Sequence, residues 1–271
     1  SSRKEKDIRQ KIVETGHVDV MVSVGNNFFY TLSLPCSLWF FNKGKAENLK
    51  DKVLFIDARN YFTVVDRTLN EWSEWQLRNL NAIVWLYRGE IENYKKLIQE
   101  YWRYFSQIAE KSDNRAWHME NPTFEDVLQV AKSTEATFTN SLKQYQEAMK
   151  STKKRKEKSE LKAVVVELEA QVTELREAVT VAEEAVWLTS KFGNDGVYQD
   201  IPGLCCIATI EQIAEKDYSL TPGAYVGVAE MEDDGVDFTQ RMNEIHTELA
   251  KLQTEANQLM TKIQQNWEAL K

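Results

Sequence analysis

The chain has 271 residues and a hydrophobic content of 42%, which gives room for one large domain or two smaller ones. It contains only 10 Gly and 4 Pro, and this composition favours a helix-rich fold. The net charge of −8 argues against tight DNA binding by this chain alone, because DNA-binding domains usually carry a basic surface.

The sequence gives no sign of export or of membrane insertion. It lacks an apolar run of about 18 residues, and its first six residues, SSRKEK, lack the apolar segment of a signal peptide. The three cysteines, Cys36, Cys205 and Cys206, do not have metal-binding spacing and fit a reducing compartment. We therefore expect a cytoplasmic protein with no membrane contact and no metal ligands.

The first sixty residues predict one helix and three strands. A short amphipathic helix is expected over residues 4–15, with Gly16 as its stop. Two apolar runs, residues 18–24 and 34–41, have the continuous hydrophobicity of strands that are buried on both faces of a sheet. A third strand is expected over residues 52–58.

The rest of the chain is dominated by helical patterns. Aromatic-rich helices are expected within residues 60–88 and 91–117, where the aromatic positions indicate a core. Three heptad runs follow, and they predict long helices that either pack side by side or offer a seam to a partner. These runs cover residues 124–149, 161–186 and 238–270. Residues 204–213 begin as a strand and end as a helix, and Asp237 is the expected N-cap of the last helix.

Between the first two strands lies an unusual turn, Gly25-Asn26-Asn27 followed by Phe28-Phe29-Tyr30. Ligands of α/β proteins bind outside the carboxyl ends of the strands, which is where these aromatic side chains are expected to project. From composition alone, the favoured interpretation is that the three rings cover the end of the sheet.

Three segments carry a resemblance to a known family: residues 8–45, 52–59 (KVLFIDAR) and 203–228. They resemble the modification (methyltransferase) subunit of type I restriction–modification systems, which methylates adenine N6 in DNA. That family binds S-adenosylmethionine through a glycine-containing loop and holds the adenine with an Asn-Pro-Pro-aromatic motif. Neither motif is found in this sequence, so the chain looks like the C-terminal portion of such a subunit.

The resemblance implies an α/β, helix-rich fold, in which the C-terminal part of a Rossmann-like methyltransferase sheet is followed by a long-helix bundle or coiled-coil region. It places part of the catalytic domain in residues 1–66, a helical connection in 67–120 and a long-helix docking domain in 121–271. Because neighbouring strands would be missing, we expect the sheet to have an exposed edge.

The resemblance also assigns roles to the aromatic turn. Enzymes that modify a base inside a duplex flip it out and commonly hold it between aromatic or apolar faces. Phe29 is expected to stack on the flipped adenine, with Phe28 as the second candidate, and Tyr30 and Asn27 are expected to contact DNA. Residues 121–124, Asn-Pro-Thr-Phe, imitate the missing motif, but they lie between helical patterns. We interpret them as a helix start with Asn121 as the cap.

Two functions are compatible with the sequence. In the first, the chain is part of an S-adenosylmethionine-dependent N6-adenine DNA methyltransferase that works with a specificity subunit, a restriction subunit and DNA. The isolated chain is then expected to bind no cofactor and to be inactive. In the second, the chain is a non-enzymatic coiled-coil assembly scaffold. In either case the last heptad run is expected to dock a partner, and its docking residues are Leu249, Leu252, Leu259 and Ile263.

Overall fold

The computed structural model describes residues 3–111, 115–152 and 154–228, together with 241, 242, 245–249, 251–254, 256, 257, 259 and 260. The chain divides into two compact units, Ser1–Ala229 and Glu230–Lys271. In the first unit the strands are β1 (Val18–Val24), β2 (Cys36–Phe41), β3 (Lys52–Ala58), β4 (Thr63–Val64), β5 (Asn70–Glu71) and β6 (Cys205–Thr209). The α-helices are α1 (Arg3–Glu14), α2 (Glu74–Arg88), α3 (Ile91–Lys111), α4 (Phe124–Ser151), α5 (Arg155–Phe192) and α6 (Ile210–Glu215).

The main sheet has four strands in the order β2-β1-β3-β6. Strand β1 runs parallel to β3, whereas β2 and β6 run antiparallel to their neighbours. The predicted strands over residues 18–24 and 52–58 are confirmed, and so is the helix before them, which Gly16 ends at φ +70°. Strands β4 and β5 form a separate two-stranded sheet.

Helices cover both faces of the sheet, as its alternating side chains require. On one face, Val20, Val22, Leu54 and Ile56 join a large core with α2, α3, α5 and the start of α4. On the other face, a smaller core includes residues of α1, α6 and the segment after α6. A register shift between Val18 and Val20 places Val18 in the second core together with Met21. The α/β, helix-rich class expected from the sequence is confirmed.

The first two heptad runs form the long helices α4 and α5, which pack side by side as a hairpin. Their cross-contacts show an antiparallel arrangement, because residue numbers rise along one helix as they fall along the other: Lys132 meets Glu183 at 2.8 Å and Glu135 meets Arg176 at 3.0 Å. Val165 and Val172 of the second heptad run are buried seven residues apart on one side of α5, while Val181 and Leu188, near the other end of the helix, join the large core. Both runs are therefore helical and pack side by side, as predicted.

The expected burial of the second strand is wrong. Strand β2 begins at Cys36, not at residue 34, and its five following side chains are exposed. It is an edge strand that has only β1 as a neighbour among the described residues. Side chains of a strand are covered by the elements packed on the two faces of its sheet, and the exposure of β2 shows that, within the described residues, this cover is incomplete at the edge of the sheet. The exposed edge expected for the sheet is thus present.

The start of α4 also differs in detail from the prediction. Thr123, not Asn121, is the N-cap: its hydroxyl accepts a hydrogen bond from the Asp126 amide while the Asp126 carboxylate accepts one from the Thr123 amide. This reciprocal capping box satisfies two amides that the first turn would leave unpaired. Asn121 takes a left-handed conformation at φ +49° before the cap. Residues 121–124 are still a helix start, as predicted.

In the second unit, the described residues between 241 and 260 are helical. Leu249, Leu252 and Leu259 lie on this helical segment, and each is more than half exposed. Ile263 and the expected N-cap Asp237 lie outside the described residues. The boundaries at residues 66 and 120 stay predictions.

Candidate functional site

The carboxyl ends of β1 and β3 lie at the same edge of the sheet because the two strands are parallel. The loops that follow them touch at Gly25 and Arg59: a Cβ placed on Gly25 would lie 2.6 Å from the Arg59 carbonyl oxygen. Only glycine allows the two backbones to approach this closely. The turn singled out in the sequence therefore starts at a fixed point beside the loop after β3.

The three consecutive aromatic residues of the turn have different environments. Phe28 is half-buried and contacts two rings from the segment after β3, with its centroid 4.9 Å from that of Trp72 and 6.0 Å from that of Phe62. Phe29 is 46% exposed and Tyr30 is 91% exposed. Phe28 thus anchors the turn, and the next two rings project from it.

The backbone of the turn is held by Asn70, the first residue of β5. The Asn70 amide donates to the Asn27 carbonyl at 2.7 Å, and its side-chain Nδ2 donates to the Asn26 carbonyl at 2.9 Å. Asn27 has a left-handed backbone at φ 64°, and its side-chain oxygen accepts a hydrogen bond from the Ser33 hydroxyl. Asn is one of the few non-glycine residues that tolerate this conformation. Asn27 therefore shapes the turn.

A buried polar network lies behind these rings, and the sequence analysis missed it. The Tyr61 hydroxyl donates to the Glu184 carboxylate on α5, and Asn79 Nδ2 donates to the Tyr61 oxygen at 3.0 Å. Burial raises the pKa of the Glu184 carboxyl and, with the nearby carboxylate, the pKa of the Tyr61 hydroxyl. The two residues are 123 positions apart, so no spacing rule could have joined them.

Arg59, which follows β3, forms an ion pair at this edge of the sheet. Its guanidinium forms a two-pronged ion pair with Asp57, with Nη2–Oδ2 at 2.6 Å and Nε–Oδ1 at 2.8 Å. This pairing raises the pKa of Arg59. The turn at Gly223 crosses over the pair, because a Cβ on Gly223 would lie 2.9 Å from Arg59 Nη2. Nearby, the Tyr225 ring stacks on the Phe55 ring with the centroids 3.9 Å apart.

An apolar groove of about 330 Å³ runs between β2 and α2, and Trp72 lines one part of it. Its walls are mainly aliphatic and aromatic, with Asn81 and Arg88 as the polar members. Among the described residues, no group of three or more His, Cys, Asp or Glu side chains is placed to hold a metal ion. In the same part of the chain, no helix is both long and apolar enough to cross a membrane.

The geometry brings together the four loop residues expected from the sequence: Asn27, Phe28, Phe29 and Tyr30 lie in one turn at the carboxyl end of β1. Their roles in stacking on the base and in contacting DNA stay predictions. The docking residues Leu249, Leu252 and Leu259 lie in the second compact unit, and their role is also untested.

Comparison with known protein families first indicates the class of protein that this chain resembles. Residues 1–116, which include this turn, match the family described as N-6 DNA Methylase. Two curated relatives then extend the similarity along nearly the whole chain. One is the type I restriction enzyme MjaIX methylase subunit of Methanocaldococcus jannaschii, 26% identical over 98% of this chain and 29% of the relative. The other is the HindI methylase subunit of Haemophilus influenzae, 23% identical over 97% of this chain and 35% of the relative.

The chain is therefore similar to the methylase subunits of type I restriction enzymes, and the resemblance seen in the sequence is confirmed. It spans about a third of the length of these relatives. A solved methyltransferase subunit of a type I restriction-modification system from Streptococcus thermophilus is also similar. That likeness has 13% identity, a TM-score of 0.35, and covers 84% of this chain and 24% of the other. It is too low to compare individual elements.

Proposed function

We propose that this chain forms the part of a type I N6-adenine DNA methyltransferase that presents the base-stacking turn and the helices that assemble the enzyme. The observation that carries the proposal is the contrast within the turn at the carboxyl end of β1. Phe28 packs inward against Trp72 and Phe62, while Phe29 stays 46% exposed beside it. Stacking on a flipped nucleobase requires an aromatic ring that is exposed and is held by a rigid support.

This arrangement supports Phe29 as the stacking residue and Phe28 as its support. Tyr30 extends furthest into solvent and is proposed to contact the DNA strand next to the flipped base. Asn27 is proposed to act through the shape of the turn as well as by touching DNA, because its side chain already accepts a hydrogen bond from Ser33.

The transferred methyl group comes from S-adenosylmethionine, which we propose is bound by the complete subunit and not by this chain alone. The exposed edge strand β2 supports a sheet that continues into further polypeptide. Accordingly, this chain by itself should not methylate DNA. The proposed setting is the cytoplasm, where the enzyme meets DNA.

The proposed partners are a specificity subunit and a restriction subunit, with DNA bound by the assembled complex. Leu249, Leu252 and Leu259 support partner docking through the second unit, because a helix that leaves three leucines more than half exposed offers an apolar stripe to another helix. Helices α4 and α5 already pack against each other, so the stripe of exposed leucines is a better candidate than these two helices for binding a partner.

The test is methylation by a complete subunit that contains this sequence, assembled with its specificity subunit. Phe29→Ala should lower the methylation rate by roughly 10- to 100-fold, since stacking of one base on an aromatic ring contributes about 1–3 kcal/mol. Phe29→Trp should retain most of the activity. Leu32→Ala is the matched control, because Leu32 is an exposed apolar residue of the same loop. Unchanged methylation by Phe29→Ala would refute the stacking role.

A further inference from the structure

The aromatic turn rests on a chain of contacts that leads to the long-helix hairpin. Phe28 packs on the Trp72 ring, and the Trp72 indole N–H donates to the Tyr61 carbonyl oxygen at 2.7 Å. Tyr61 follows β3 and joins no strand or helix itself. The position of the turn therefore depends on what holds Tyr61.

Helix α5 holds Tyr61 at two places. The Tyr61 ring stacks on Trp187 with centroids 4.1 Å apart and planes 12° apart, and its hydroxyl donates to the Glu184 carboxylate one helical turn away. Ring stacking fixes the plane of the side chain, and the hydrogen bond fixes its rotation and depth. Together they attach the loop after β3 to a helix that begins almost a hundred residues later.

The residues around Glu184 hold its carboxylate in place through hydrogen bonds. Asn79 Nδ2 donates to Glu184 Oε2 at 3.2 Å and to the Glu184 backbone carbonyl at 3.0 Å. Asn79 is itself oriented by Tyr101, whose hydroxyl donates to its Oδ1 at 2.9 Å. The hydrogen-bond donors that face the carboxylate, Tyr61, Asn79 and Gln76, are all neutral.

A buried carboxylate faced by neutral donors is costly for stability. Glu184 is only 8% exposed, and burial outweighs its hydrogen bonds, so the pKa of its carboxyl is raised. Replacing such buried ionic groups by apolar ones is often neutral or stabilising. A residue that costs stability while orienting its neighbours points to a role in geometry.

We propose that Glu184 is a positioning residue for the base-stacking turn: through the Tyr61 hydroxyl it fixes the Tyr61–Trp72 support on which Phe28 packs. The inference rests on the proposed function for its biological meaning. The mechanical part, that a residue of α5 controls the order of the turn after β1, can be tested on this chain without DNA or cofactor.

The experiment is hydrogen–deuterium exchange followed by mass spectrometry on this chain. The reporter is the Asn70 amide, which is protected only while it donates to the Asn27 carbonyl of the turn. In Glu184→Ala, exchange at Asn70 should become roughly tenfold faster, in line with the loss of a buried hydrogen bond. In Glu184→Gln, which keeps an acceptor for the Tyr61 hydroxyl, most of the protection should return.

Glu183→Gln is the matched control, because Glu183 is the adjacent carboxylate on α5 but is half-exposed and pairs with Lys132 on the surface. Exchange at Asn70 should stay at the wild-type rate in this variant. If Glu184→Ala leaves Asn70 protected, or speeds exchange equally in the core strand β1, the positioning role is overturned. Should Glu184→Ala fail to fold, Tyr61→Phe removes the same hydrogen bond and keeps the ring, and it should give the same local increase.

In the complete enzyme, Glu184→Ala should lower kcat for methylation and leave KM for DNA unchanged, because the turn acts after the duplex is bound. Glu184→Gln should restore kcat. The two proposals can fail separately. If Glu184→Ala speeds exchange at Asn70 as expected but Phe29→Ala has no effect on methylation, base stacking by Phe29 is refuted, whereas the positioning of the turn by Glu184 is supported.

Discussion

Strands β1 and β2 have similar apolar sequences and are hydrogen-bonded to each other, yet their environments are opposite. Met21 in β1 lies opposite Trp39 in β2, and Met21 is fully buried whereas Trp39 is 41% exposed. All seven residues of β1 are buried, and five of the six in β2 are exposed. The difference therefore lies in position within the sheet.

The comparison shows what apolar sequence does and does not report. Strand β1 has neighbours on both sides, β2 and β3, and helices over both faces. Strand β2 has one neighbour among the described residues. A run of apolar residues indicates that a strand is suited to burial, but the burial itself needs further strands and helices.

The largest expected difference in stability is between two variants that each truncate one residue of the cross-strand pair Met21 and Trp39. Met21→Ala should lower the free energy of unfolding by about 2–5 kcal/mol, because it leaves a cavity in a closed core. Trp39→Ala should cost less, about 1–2 kcal/mol, although it removes a larger side chain, since 41% of Trp39 is already exposed to water. Urea denaturation of dilute protein measures both. Equal losses would mean that β2 is covered in solution and would break the comparison.

A smaller effect is expected at the two glycines that follow these strands. Gly25→Ala should cost about 1–3 kcal/mol, because its Cβ would lie 2.6 Å from the Arg59 carbonyl oxygen and force the two loops apart. Gly44→Ala should change stability by less than about 0.5 kcal/mol, because the nearest atom to its Cβ is a side-chain oxygen at 3.5 Å. Thermal unfolding of both variants tests this, and a harmless Gly25→Ala would contradict the tight approach.

Local patterns were sufficient to predict much of the fold. Strands β1 and β3, helix α1, the strand-to-helix change at β6 and α6, and the long helices α4 and α5 all follow from apolar spacing and stop signals. The true cap of α4 was also readable, because Thr123 and Asp126 have capping-box spacing, here with Asp in place of the usual Glu or Gln. These features depend on neighbours in sequence.

The features that were missed depend on contacts distant in sequence. The exposure of β2 depends on its position at the edge of the sheet, and the residues of β2 alone do not indicate that position. The link from Tyr61 to Glu184 joins a loop to a helix without any motif. For the candidate site, the sequence identified the turn but not the division between Phe28, which packs on Trp72, and Phe29, which projects.

At the exposed edge itself, association is expected to change more than stability. Trp39→Lys combined with Phe41→Lys should alter the free energy of unfolding by about 1 kcal/mol, because 41% of Trp39 and 54% of Phe41 are already exposed and the lysine stems can cover part of the same surface. The same change should reduce concentration-dependent association, since lysines on an edge strand oppose pairing with another strand. Light scattering over a concentration series measures this association.

The matched control is Val166→Lys with Val197→Lys, which adds the same charge at two exposed apolar positions away from β2. If association falls only in the β2 variant, the exposed edge strand is the surface through which this chain associates. Such association is expected for an apolar strand with an unpaired edge. An equal fall in both variants would assign the effect to net charge, and the contrast between β1 and β2 would then carry no consequence for assembly.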